Sequence, residues 1–129
     1  KERNGRCALC WSLRLKATAK SAKEKGFTHF STTLLVSPYQ DQELLKGIGS
    51  NISKDEGIDF YYEDFRPGFR EAHDQAKAKG IYCQKYCGCI YSLRDTNAWR
   101  SKNGKGKIVR GERFYVENPV NVDFPAERI

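Results

Sequence analysis

Glycines at 26, 57 and 80 each close a run of helix-forming residues, and short apolar, β-branched segments separate those runs. That punctuation predicts alternating helices and strands, which in turn predicts an α/β unit built on a parallel sheet. Trp11 to Lys25, rich in Ala, Leu, Lys and Arg, reads as a helix, with Gly26 placed as its C-terminal cap. Phe27 to Val36 carries Phe30, Thr32, Thr33 and Leu34 to Val36, and reads as a buried strand that stops at Ser37-Pro38. Gln42 to Glu56 predicts a second helix, weakened by Gly47 and Gly49. Ile58 to Tyr62 predicts a short strand, and Pro67 to Lys79 a third helix with proline in its first turn.

The character of the chain changes at Ile81. Tyr82 to Leu93 concentrates cysteine and tyrosine. Arg94 to Arg113 is basic and punctuated by glycine, which predicts a loop with a hairpin. Arg113 to Val116 predicts a strand, and Pro119 to Pro125 an irregular tail. No linker or repeat marks a second domain, so residues 1–129 read as one domain, with a core to residue 93 and a basic extension from 94.

Four of the five cysteines fall into two close pairs, Cys7 with Cys10 and Cys87 with Cys89. Three residues apart at the head of a helix, Cys7 and Cys10 share one face of the first turn, where unpaired amides and the helix dipole favour thiolates. Cys87 and Cys89 stand two residues apart. Gly88 between them permits the backbone angles that bring the sulfurs together, on one metal or in a strained disulfide. Cys83 stands apart and reads as a residue of no chemical role.

Nothing in the sequence reaches the apolar length of a membrane span, and Lys1-Glu-Arg-Asn-Gly does not read as a signal peptide, so the expected compartment is the cytosol. An odd number of cysteines there points to ligands or catalytic thiols rather than a disulfide framework. The net charge of +7, from 23 Lys and Arg against 16 Asp and Glu, favours a polyanionic partner. Within the basic stretch Arg94, Arg100, Lys102, Lys105, Lys107, Arg110 and Arg113 surround Trp99, a pattern able to follow phosphates while an aromatic stacks on a base. The same residues also suit a solvated surface loop. A start at Lys1 with no methionine anywhere suggests an N-terminal truncation.

Four segments occur in a distinctive order: Arg6-Cys7-Ala8-Leu9-Cys10, Ser31 to Tyr39, Asp64-Phe65-Arg66, and Tyr86-Cys87-Gly88-Cys89-Ile90-Tyr91-Ser92. Together they resemble the cobalamin-independent epoxyqueuosine reductases, over Cys7 to about Leu93. The resemblance implies a nucleotide-hydrolase-like (Rossmann-like) parallel sheet, incomplete at its N-terminus. It also implies reduction of epoxyqueuosine to queuosine in tRNA, the last step of queuosine synthesis. In that family the residues matching Cys7 and Cys10 hold half the ligands of a [4Fe-4S] cluster, the other half lying in a segment not present in this chain. The residues matching Cys87 and Cys89 serve an additional iron ion or a redox-active disulfide. Implied partners are tRNA carrying epoxyqueuosine and an electron donor outside the chain, with no membrane. Where the family usually has an arginine before Gln-x-Tyr-Cys, this chain has Cys83.

Opening an epoxide and eliminating its oxygen as water consumes two electrons and two protons, and ordinary side chains do not supply low-potential electrons. Proton donors suggested by the motifs are Tyr86, Tyr91 and Asp64. Asp64-Phe65-Arg66 is divided between substrate recognition and an internal ion pair that fixes the turn after the strand. The hydroxyls of Thr32, Thr33, Ser37 and Tyr39, at the C-terminal end of a predicted strand, suit a ligand crevice. His29 and His73 read as structural or surface residues. Two other classes fit parts of the pattern: a non-catalytic, zinc-stabilised nucleic-acid-binding module, and a thiol–disulfide oxidoreductase.

Overall fold

The computed structural model describes residues 3–109, with side chains from residue 5. The elements in chain order are α1 (Arg3–Glu24), β1 (His29–Phe30), a 3₁₀ turn (Thr33–Val36), α2 (Gln42–Glu56), β2 (Asp59–Phe60), a second 3₁₀ turn (Arg66–Gly68), α3 (Phe69–Ala78) and α4 (Ile90–Lys102). The chain divides into two compact units, with the first ending at Glu71 and the second starting at Ala72. No described helix is long and apolar enough to cross a membrane.

In the first unit, α1 places Trp11, Leu15 and Ala19 on one stripe at four-residue spacing, and all three are buried. They meet Leu45 and Ile52 of α2, with Phe30, Leu35 and Ile58 completing the core. Leu35 and Leu45 are fully enclosed, and burial of each contributes about 1.5–3 kcal/mol. β1 and β2 pair in parallel, His29 opposite Asp59 and Phe30 opposite Phe60. The Tyr61 amide extends the ladder by donating to the Phe30 carbonyl at 2.9 Å. With α2 crossing between them, the two strands form a β–α–β unit, and the fold is a mixed α/β one, mostly helical.

Local chemistry sets the ends of α2. Asp41 caps the start, its carboxylate accepting from the Leu44 amide at 3.0 Å. Gly57 closes the end in the left-handed region, φ 69°, where a side chain would be strained. Lys23 of α1 donates through Nζ to the Glu56 carbonyl at 2.9 Å, putting a cation on the negative end of α2. Gly26 and Gly80 adopt the same left-handed backbone as Gly57, as the sequence predicts.

Four expectations change. The first helix begins at Arg3 rather than Trp11. The predicted strand to Val36 shrinks to two residues, because the Thr32 hydroxyl accepts from the Leu34 amide at 3.2 Å and turns the chain into a 3₁₀ helix. The third helix starts at Phe69, since Arg66-Pro67-Gly68 forms a tight turn before it. The first part of the predicted basic loop, Arg94 to Lys102, is helix: α4 runs to Lys102 and stops at Asn103 and Gly104, the latter at φ 64°. The expected strand at Arg113 to Val116 and the tail beyond it lie outside the described residues.

Candidate functional site

Because α1 begins at Arg3, Cys7 and Cys10 sit within the helix body, past the amides that a helix start leaves unpaired. The expected help from those amides therefore does not apply to them. The spacing still puts both thiols on one helix face. Cys7 is half-buried against the core cluster, and Cys10 is exposed. Trp11, buried directly after Cys10, and Leu15 anchor this part of α1.

Cys83, Cys87 and Cys89 lie in the irregular segment between α3 and α4. Gly88 has φ 92°, the freedom expected of it, so the chain bends between Cys87 and Cys89 instead of running extended. Cys89 is the N-cap residue of α4, with no side-chain capping hydrogen bond, so it sits at the positive end of the helix dipole. Ser92, one turn into α4, accepts from the Cys87 amide at 3.4 Å and ties the pair to the helix start. Cys87 is exposed and Cys89 half-buried. Cys83 donates to the Ile81 carbonyl at 3.5 Å. None of the five cysteines is in a disulfide. Among the described residues no three His, Cys, Asp or Glu side chains gather into a metal-holding group.

Near the C-terminal ends of β1 and β2, two of the four expected crevice hydroxyls, those of Thr32 and Ser37, bond to the backbone. Thr32 caps the 3₁₀ turn, and Ser37 accepts from the Tyr39 amide at 3.3 Å. Ser31 donates to the Tyr61 carbonyl at 2.8 Å, linking the two strands just beyond their ladder. Tyr61 donates to Glu63 Oε2 at 2.6 Å, which raises its pKa. Asp64 and Arg66 form the ion pair that the motif allowed. The Arg66 Nη2–Asp64 Oδ2 distance is 2.6 Å and the Nε–Oδ1 distance 2.8 Å, and the Arg66 amide donates to Oδ1 at 3.0 Å. These bonds, the guanidinium ones first, hold the Asp64 carboxyl down to about 2. Asp64 is therefore ionised near neutral pH and is no proton donor there. His29 lies at the surface, 3.7 Å from Asp59.

Sequence reasoning missed α4 and its returning segment. The available signal was the absence of glycine and proline from Ile90 to Lys102, followed by Gly104.

A family model described as epoxyqueuosine reductase QueH matches residues 1–95. A curated relative from Histophilus somni, named epoxyqueuosine reductase QueH, is 36% identical over 118 residues, covering 88% of this chain and 48% of the relative. Proteins of the same name from Thermotoga maritima and Acinetobacter baylyi are 40% identical over 94 residues and 35% over 118. They cover 71% and 88% of this chain, and 49% and 54% of the relatives. The chain thus spans about half the length of the curated relatives it matches. With about three-quarters of its length under the family model, the chain belongs to the epoxyqueuosine reductase QueH family.

Proposed function

We propose that this chain forms part of an enzyme that reduces epoxyqueuosine to queuosine in tRNA, with electrons from a donor outside the chain. The observation that carries the reading is the family match over residues 1–95, which includes both cysteine pairs and Asp64-Phe65-Arg66. A tRNA substrate implies a cytoplasmic setting. On the same reading, β1 and β2 belong to a larger nucleotide-hydrolase-like parallel sheet.

Cys7 and Cys10 suit an iron–sulfur cluster in donor type and placement: two thiols outside any disulfide, on one face of a helix anchored by Trp11 and Leu15. They would hold two of about four cluster ligands. When bound, a [4Fe-4S] cluster supplies electrons at low potential. Cys87 and Cys89 would either hold an additional iron ion beside the epoxide oxygen or cycle between dithiol and disulfide. In the dithiol form, two thiols release two protons and two electrons as one disulfide forms, matching the two of each that the epoxide consumes in becoming an alkene and water. Asp64 is ionised near neutral pH and paired with Arg66, so that carboxylate orients or accepts rather than donates a proton. Tyr86 and Tyr91 flank the second pair and remain the proposed donors.

The test is iron and acid-labile sulfide content, with visible absorption, on anaerobically purified protein of the relatives' full length and on this chain beside it. Iron and sulfide in the longer protein support the reading. Stoichiometric zinc on this chain, with no iron in either, would overturn it in favour of a structural metal module.

A further inference from the structure

The expected basic loop is instead a helix with a returning arm, and this rearrangement gives its cations a defined surface. Leu93 is buried and Thr96, Asn97 and Arg100 are half-buried, which fixes the inward face of α4. The outward face then carries Arg94, Ala98, Trp99, Ser101 and Lys102, all exposed. After Gly104 the chain comes back along the helix and is held at two points. Asn97 donates to the Ile108 carbonyl at 2.9 Å and accepts from the Ile108 amide at 2.8 Å. Arg100 donates through Nε to the Gly106 carbonyl at 2.6 Å.

This arm brings Lys105 and Lys107 to the helix. Lys105 Nζ lies 5.0 Å from the centre of the Trp99 ring, and Lys107 lines a hollow of about 380 Å³ with Arg94 and Ser101. The lone carboxylate from residue 94 to 109, Asp95, is already 3.4 Å from Arg94. Trp99 is 55% exposed, an unusual state for the largest apolar side chain and one suited to a stacking partner. Most of this surface lies beyond the residues that match the family model.

From these observations we infer that the outward face of α4 and its returning arm form an RNA-docking surface. Arg94, Ser101 and Lys107 take a phosphate in their hollow, Lys102 and Lys105 follow the backbone, and Trp99 stacks on an unpaired base. The charge selects a polyanion among possible partners, and the exposed ring an unpaired base, since paired bases in a duplex leave no free face. The choice of a tRNA anticodon arm as the occupant rests on the reductase reading, whereas the charge and aromatic pattern does not.

The experiment measures binding of an unmodified tRNA anticodon stem–loop to the chain by fluorescence anisotropy over a range of salt concentrations. Three proteins are compared: the parent, a Lys102→Gln/Lys105→Gln/Lys107→Gln variant, and Trp99→Leu. The triple variant is expected to flatten the slope of log K against log salt by about 2, the loss of three single-strand phosphate contacts. Trp99→Leu is expected to weaken binding by about 10-fold or more at unchanged slope, with Trp99→Phe restoring most of it. Parent-like binding by either variant would overturn the proposal. Equal losses toward heparin, which has no bases, would remove the stacking role. If substitution left RNA binding unchanged but dissolved a self-association seen by sedimentation, the face would be a protein contact instead. Because the RNA carries no epoxide, failure of the reductase assignment would leave these readings unaffected.

Discussion

The ring of Phe60 in β2 lies directly over Gly49 of α2: a Cβ built on Gly49 would come within 2.6 Å of Phe60 Cζ, and nearer still to Cε1 and Cδ1. Phe60 also packs against Phe30, with ring centres 5.2 Å apart. The glycine that weakens α2 as a helix is therefore what lets the helix close onto the sheet.

Gly49→Ala sets two effects against each other. Alanine gains up to about 1 kcal/mol of helix propensity, and overpacking costs about 1–3 kcal/mol. A half-buried ring pinned by Phe30 has little room to yield, so the net expectation is a loss of about 1–2 kcal/mol in urea unfolding. Gly47→Ala on the same helix has open space at its Cβ and is expected to stabilise the protein by up to about 1 kcal/mol.

Arg66 sets the acid response of Asp64. With its carboxyl held to about 2 when folded and near 3.8 otherwise, Asp64 binds a proton more readily in the unfolded chain. The pair's contribution to stability is present above about pH 4 and is lost as pH falls from there through about 2. Carboxyl NMR titration is expected to show Asp64 near its low value in the parent and within the ordinary aspartate range in Arg66→Gln. A parent Asp64 titrating with the other carboxylates would remove the two-pronged pair from solution.

Asn97 is the main clasp of the returning arm. Removing its two hydrogen bonds to Ile108 in Asn97→Ala costs about 1–3 kcal/mol locally. The Ile108 amide should then exchange with solvent about 10-fold or more faster, while amides in α1 and α2 keep the parent rate. Unchanged protection at Ile108 would show that the arm is held by other contacts.

The two cysteine pairs should separate in assay. In the protein of the relatives' full length, Cys7→Ser or Cys10→Ser is expected to lower iron content and visible absorption together. Cys87→Ser or Cys89→Ser should keep the cluster's acid-labile sulfide and visible absorption and abolish detectable queuosine formation, measured by mass spectrometry of digested tRNA. Full activity in both of the latter variants would sink the role proposed for that pair.

Features set by local chemistry are legible along the chain. Glycines at 26, 57 and 80 end helices where left-handed backbone is needed, and four short motifs carry the family resemblance that the family model bears out. Even the Asp64–Arg66 pair was legible, since two residues apart in a turn they scarcely avoid one another. Tertiary structure decided what depends on competing partners. Whether Thr32 extends a strand or caps a 3₁₀ turn follows from which amide its hydroxyl meets, and the residue type permits both. The basic segment from Arg94 is polar enough to be loop. It became helix because Leu93 found burial and Asn97 and Arg100 found carbonyls on a returning arm. Those contacts span turns and loops, and spacing along the chain does not encode which of them close.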